Sequence, residues 1–295
     1  MEYNINHGNK DLIDPQFAYN IGLLYFNGEM IQKDDQKAVK YLSLAADKNY
    51  LDAQVQLADI YYDSNSIMYD VYGAVFYYTI AAEKNVLKAQ LILGKFYCNR
   101  STEGFNIYHS ILQHGSMTDI DKAIYYYSLA ANQGNQEAQL QLGNIYNDER
   151  YNMKDINKAI HYYSFAADQN NSIAQNKLCR IGYDIMNLVH DVKKAIHIFT
   201  FLADKNHVIS QFMLGYIYSN IQFGFLDVKK SIHYYSLASK QNHCDSQLNL
   251  GIIYQNSLLI KPNAEKAIYY LELASKHNDS RAFYDLGVIY CEGIL

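Results

Sequence analysis

Three histidines, His161, His197 and His233, stand 36 residues apart, and imidazoles at a fixed spacing are a pattern that could hold metal ions. Zinc needs several ligands at about 2 Å, whereas the axes of packed helices lie about 8–10 Å apart, so one histidine per helix does not close a coordination shell. The same register elsewhere holds Lys40, Phe76, Tyr125 and Tyr269, the mixture expected of a half-exposed surface. The three histidines are therefore read as solvated. The cysteines, Cys98, Cys179, Cys244 and Cys291, form no CxxC and have no spacing of a disulfide framework. Arg180 follows Cys179 in the chain, but consecutive helical residues point to different faces, so nothing activates that thiol. With no Gly-rich phosphate loop, metal-ligand spacing or nucleophile–base pair, the expected catalytic residues, metal sites and cofactors are none, and the chain is read as a non-enzyme.

Two further groups are suited to binding rather than reaction. Gln54, Gln90, Gln139, Gln175, Gln211 and Gln247 recur in one register. A ladder of amides could hold a peptide backbone, but its uniformity favours a structural bond between helices. The segment between Cys98 and Asp119 is 13 residues longer than its counterparts and holds Phe105, Ile107, Tyr108, His109, Ile111, Leu112 and His114. Such an insertion is either a binding loop or a short packed helix.

Whatever these residues do, helices must position them. The 295 residues are 49% hydrophobic and 19% charged, with 30 Tyr, 15 Gly and only 2 Pro, too few turn-formers for an all-β fold. A small residue recurs at Gly22, Ala58, Gly94, Gly143, Cys179, Gly215, Gly251 and Gly287, 36 apart except for one gap of 49. It follows Ile or Leu and precedes by three Tyr25, Tyr61, Tyr97, Tyr146, Tyr218, Tyr254 and Tyr290, with Gly182 the exception. That spacing puts Leu and Tyr on one face of a helix, here termed A, beside a small residue where another helix can approach. In phase with it, Ala38, Ala74, Ala123, Ala159, Ala195, Ser231 and Ala267 open a second helix, B, in which large and small residues alternate at helical spacing. Four residues before each stands Asp34, Asp70, Asp119, Asp155, Asp191, Asp227 or Asn263, suited to cap the first turn. Eleven residues after each comes Asn49, Asn85, Gly134, Asn170, Asn206, Asn242 or Asn278, types that tolerate the left-handed conformation ending a helix.

The pattern predicts an all-α fold, a right-handed α-solenoid of 36-residue helix–turn–helix repeats. Full repeats run over 17–52, 53–88, 89–137, 138–173, 174–209, 210–245 and 246–281, after a lead-in of 1–16 and before a half repeat at 282–295. Since no repeat buries its apolar faces alone, 17–295 is expected to form one solenoid domain. The runs AQLQLGNIY (138–146) and DINKAIHYYSFAA (155–167) resemble the Sel1-like repeat family, a branch of the tetratricopeptide-like solenoids. Lys37, Lys122, Lys158, Lys194, Lys230 and Lys266 fill that family's lysine position, and Gly73 departs from it. The family's turn glycine remains only as Gly28 and Gly293, so less uniform turns are expected. The resemblance implies an adaptor that scaffolds protein complexes in signalling, degradation or host–pathogen contacts, with helix A lining a concave groove.

The groove residues expected on that basis are Leu91, Leu140, Asn176, Phe212 and Leu248, and one turn on Lys95, Asn144, Arg180, Tyr216 and Ile252. Packing of some of them against the preceding repeat is the alternative. The leading expectation is a protein-binding scaffold that presents a peptide or helix of a partner, apolar at one end and acidic at the other. The alternative is a structural component self-associating through the C-terminal end, and an RNA-binding helical array stands third. A net charge of −5 without a basic stripe speaks against nucleic acid. The N-terminus has no basic and apolar signal regions and no run reaches the length of a membrane span, so a soluble intracellular setting without a membrane partner is expected, delivery to a host cytoplasm included.

Overall fold

The computed structural model describes residues 13–28, 30–102, 118–256 and 259–291; the insertion from Phe105 to His114 lies outside them. The chain packs as two compact units, Met1–Asp155 and Ile156–Leu295. The first holds α1 (Pro15–Asn27), α2 (Asp35–Ala46), α3 (Leu51–Tyr62), α4 (Val71–Glu83), α5 (Leu87–Thr102), α6 (Asp119–Asn132) and α7 (Gln136–Asn147). The second holds α8 (Ile156–Asp168), α9 (Ser172–Asp184), α10 (Val192–Ala203), α11 (Val208–Ser219), α12 (Val228–Lys240), α13 (Cys244–Asn256), α14 (Ala264–Ser275) and α15 (Ser280–Cys291). Odd-numbered helices are A and even-numbered are B, each packing on its chain neighbours within its own unit, and no strand occurs among the described residues. Each unit is α-solenoid, as the periodicity predicts.

The ends of the B helices follow the expected chemistry. All six asparagines at the predicted C-terminal turns have φ between 60° and 62°, and Gly134 has φ 81°. The turn closes through two backbone bonds, as where Asn49 N–H donates to the Ala46 carbonyl (2.9 Å) and Tyr50 N–H to that of Ala45 (3.1 Å). At the start of helix B, the carboxylates of Asp34, Asp191 and Asp227 accept from the backbone N–H of Lys37, Lys194 and Lys230 at 2.9–3.0 Å. Asp119 does not cap: it is the first residue of α6, and Thr118 takes the role in a reciprocal box with Asp121. Thr118 sits one residue upstream, at the end of the insertion, where no counterpart in the other repeats predicts it.

The tyrosines build the seam between A and B. Tyr25 stacks on Tyr41, Tyr97 on Tyr126, Tyr218 on Tyr234 and Tyr254 on Tyr270, with ring centroids 5.7–5.9 Å apart. The family-position lysines Lys37, Lys122, Lys230 and Lys266 place their ammonium groups 5.1–5.2 Å from the helix-A ring of the same repeat. The tyrosine carbonyl then accepts from the N–H of the helix-B cap residue, as from Asp34 to Tyr25 (3.0 Å) and from Asp227 to Tyr218 (2.8 Å). Turn interiors differ as expected: a 3₁₀ turn at Glu149–Tyr151, a π turn at Ile185–Val189 and a 3₁₀ turn at Ile221–Phe223.

The repeat with Gly182 solves the same problem differently. Ile198 stands where its neighbours have the second tyrosine, and Phe199 lies where a Cβ on Gly182 would meet its ring at 3.0 Å. Ile185 and Met186 of the π turn are buried there, and Asp191 N–H bonds the Ile185 carbonyl instead (3.2 Å). Cys179 is buried in this repeat, and burial pushes its thiol above the ordinary range, as a core residue rather than a nucleophile requires.

Candidate interaction surface

The glutamine column is structural. Gln54, Gln90, Gln139, Gln175, Gln211 and Gln247 are buried, and each side-chain amide donates at 3.1–3.4 Å to a carbonyl at the end of the preceding helix B, Ala46, Ala82, Ala131, Ala167, Ala203 or Ser239. Each of these carbonyls also accepts from the N–H of the left-handed turn residue, as Ala203 does from Asn206 (3.0 Å), so the amide occupies its second lone pair and ties repeat to repeat. His161, His197 and His233 are all exposed, as are Lys40, Phe76, Tyr125 and Tyr269.

The two columns of expected groove residues separate. In the column three residues before the small position, Leu140 and Leu248 are buried, Leu248 at 3% within a cluster that includes Ala267, Leu271 and Ile289. Both belong to the interior and are not available to a partner. Phe212 is half-buried, with its ring 4.8 Å from that of His243 at the start of the next helix A. Asn176 is exposed but accepts from His207 Nε2 (3.1 Å), the same relationship one repeat earlier. Leu91 is half-buried. Asn176 and Phe212 of this column therefore contact the start of the following helix A.

The column one residue after the small position stays at the surface. Lys95 and Arg180 are exposed, Asn144 is half-buried, and Tyr216 and Ile252 are each 39% exposed. Tyr216 meets Phe223 edge-on at 5.5 Å, which holds its ring. Arg180 is paired with Asp184 at 3.1 Å, so its charge is partly compensated within its own helix. Asn144 donates to Gln141 Oε1 (3.2 Å).

Residues seven positions earlier on the same helices share this face, and the sequence reading passed over them. In the second unit these are Ile173, Ile209, Asp245 and Arg281, with Ile173 and Ile209 exposed and Arg281 bonded to Asp245 at 2.7 Å. The helix period, in which residues seven apart fall on one face, is the signal that would have found them. Arg281 also binds Asp279 and holds that carboxyl down to about 2. In the first unit an open cleft of about 620 Å³ is lined by Phe26, Lys33, Asp59, Tyr62, Asp63 and Lys88, among others. Asp59 there accepts from the Tyr78 hydroxyl (2.7 Å) and pairs with Lys88 (2.6 Å), while burial, then this bond, raises the Tyr78 phenol.

Helix A begins at a second series of caps. Asn135 and Asn171 accept from Ala138 and Ala174 N–H at 2.9–3.0 Å, and His207 and His243 use Nδ1 toward Ser210 and Ser246 N–H at 3.3 Å. Burial lowers the pKa of both histidines, which keeps Nδ1 free to accept.

Comparison with known proteins agrees with this anatomy. The family model described as Sel1 repeat matches residues 15–50, 51–86, 110–135, 136–171, 208–243 and 244–279, more than half of the chain, and passes over the repeat with Gly182. No curated protein matches the chain. Among solved structures it is similar to a Sel1 repeat protein from Oxalobacter formigenes, with 24% identity over 94% of this chain and 76% of that one and a TM-score of 0.48. It is also similar to a protective antigen of uropathogenic Escherichia coli with an SLR fold (22% identity, 97% and 68% covered, TM-score 0.43). An immunity protein from Pseudomonas aeruginosa is more distant, at 15% identity, 92% and 87% covered and a TM-score of 0.30. With six matched segments, five of them each spanning one A–B helix pair, the chain belongs to the Sel1 repeat family.

Proposed function

We propose that this chain is a non-catalytic scaffold that binds a peptide or helical segment of a partner protein along the A helices. Sel1 repeat proteins generally mediate protein–protein interaction, and this chain carries their repeats over most of its length. The observation that carries the reading is the exposure of Tyr216 and Ile252 at equivalent positions of neighbouring helices α11 and α13, beside Gly215 and Gly251, which are buried. Exposed apolar and aromatic side chains in one column are the usual anchors of an interface. Arg180, Ile173 and Ile209 extend the surface in the second unit; Lys95, Asn144 and Leu91 are the corresponding contacts proposed for the first. A photo-crosslinking amino acid in place of Tyr216, introduced in the native host, identifies the partner. Tyr216→Ala should then weaken binding of that partner by about 2 kcal/mol, roughly 30-fold, with an unchanged helical melt. Crosslinks that form equally well from the exposed His197 position on helix B, or unaltered affinity of Tyr216→Ala, would remove the reading.

Self-association through α15 is the second reading. A Cβ on Gly287 would have no atom within 4 Å, whereas at Gly251 it would meet Leu271 at 2.6 Å. Phe283, Tyr284 and Tyr290 are exposed on the same helix. Ile289 is 1% exposed in the core and is no probe of this face, so the test is Tyr284→Glu with Tyr290→Glu. Dimers by sedimentation equilibrium that vanish in this variant support it; a monomer at all concentrations rejects it.

A further inference from the structure

The two edges of the second unit differ in chemistry. At one edge helix B passes to helix A through residues 168–171, 204–207, 240–243 and 276–279, which contain no apolar side chain. At the other, helix A passes to helix B through 185–191, 220–227 and 257–263. There Leu188 and Ile221 are 77% and 74% exposed, and Val189, Phe225, Leu226 and Leu259 are exposed as well. A protein surface loop is ordinarily polar, and the opposite edge of the same unit keeps to that rule. Apolar tips repeated on successive loops at one edge mark a contact surface.

The charge beside these tips is distinctive. Loops and first turns together, 185–194, 220–230 and 257–266, carry six lysines against three acids, in a chain whose net charge is −5. Two of the acids, Asp191 and Asp227, have their carboxylates engaged by backbone N–H groups as helix caps. The third, Glu265, is exposed. Lys193, Lys229 and Lys261 are exposed, within four residues of Val189, Leu226 or Leu259, while Lys230 and Lys266 hold their ammonium groups over the rings of Tyr218 and Tyr254.

We propose that this edge is a docking surface for an anionic lipid bilayer, with Leu188, Val189, Ile221, Phe225, Leu226 and Leu259 entering the interface and Lys193, Lys229 and Lys261 meeting lipid phosphates. Side chains on three separate loops suit a soft apolar medium, into which each inserts on its own; a folded partner would have to match all three at once. Lysines placed behind apolar tips add attraction to an anionic leaflet. This is a contact at the membrane surface, so it is compatible with the finding that no described helix is long and apolar enough to cross a membrane. It does not rest on the A-helix surface proposed above.

The test is co-sedimentation of the full chain with vesicles of phosphatidylcholine, with and without phosphatidylserine. The chain should sediment with the phosphatidylserine vesicles and stay in solution with phosphatidylcholine alone. Leu188→Asn, Val189→Asn, Ile221→Asn, Phe225→Asn and Leu226→Asn together should abolish sedimentation while keeping the helical melt. Lys193→Glu with Lys229→Glu should weaken it at least about tenfold, since each surface lysine contributes about 1 kcal/mol near an anionic membrane. Because the chain has no tryptophan, Phe225→Trp supplies a single indole whose emission should shift to the blue on adding phosphatidylserine vesicles. No sedimentation, an unshifted indole, or equal sedimentation of the asparagine variant would overturn the proposal. Loss of the Tyr216-crosslinked partner from the asparagine variant, without vesicle binding by the parent, would assign the edge to protein instead.

Discussion

Tyr218 of α11 and Tyr234 of α12 stack with ring centroids 5.9 Å apart and planes 10° from parallel, joining the two helices of one repeat. Stacked aromatic pairs are worth about 0.5–1.5 kcal/mol beyond the area they bury. Tyr218→Ala and Tyr234→Ala should each destabilise, and urea denaturation of the single and double variants should show a coupling of about 1 kcal/mol. Strict additivity would mean that the two rings act only by filling space.

Gly215 and Gly287 occupy equivalent positions and should respond oppositely to alanine. A Cβ at 215 would lie 2.5 Å from Tyr235 Cδ1, so Gly215→Ala should cost about 1–3 kcal/mol as the buried ring is displaced. At Gly287 nothing lies within 4 Å, and Gly287→Ala should stabilise by up to about 1 kcal/mol through helix propensity. Thermal melts of the two variants decide this.

Asn170 and Asn171 are adjacent but end and begin different helices. Asn170 has φ 62°, so Asn170→Ala should cost about 1 kcal/mol and Asn170→Gly close to nothing. Asn171 caps α9 through Ala174 N–H, so Asn171→Ala should also cost about 1 kcal/mol, while Asn171→Asp should not. Glycine tolerance is the measurement that tells the two roles apart.

His207 and His243 impose a pH dependence. Their pKa values are lowered in the folded chain, so the unfolded chain takes up protons first as pH falls below about 6.5. Stability should be unaffected by these groups above that pH and fall progressively below it, until the folded-state pKa values are passed. Protonated Nδ1 cannot accept, so the caps are lost together. His207→Asn with His243→Asn keeps an acceptor and should flatten the urea midpoint between about pH 7 and pH 5. Asp279 acts in a separate window: its contribution is present above the ordinary carboxylate pKa and fades as pH falls toward about 2.

What was legible in the sequence is what each repeat does for itself. Periodicity located the helices, Asn49 and its counterparts located the left-handed turns, and the uniform glutamines announced a structural bond. Less legible was what one repeat does to the next. Phe212 has the spacing of a groove residue, but the turn bearing His243 covers it, and Leu248 is taken into the core around Leu271. Nothing in the helical period of one segment reveals the next segment's turn. The exposed tips at Leu188 and Ile221 escaped for a related reason, because they lie on loops whose lengths and conformations differ from repeat to repeat.

The confinement of extensive helix contacts to close neighbours in the chain also governs how the fold can form. A contact between consecutive helices closes only a short loop, so its entropic cost is small and the average contact is local. Each helix pair can gain structure as soon as it leaves the ribosome, without waiting for distant residues, and growth proceeds by adding a new pair to an existing template. The Gln–carbonyl bond joins segments only eight residues apart in sequence, as in Gln211 to Ala203, and so marks the earliest point at which a new repeat can lock onto the one before it.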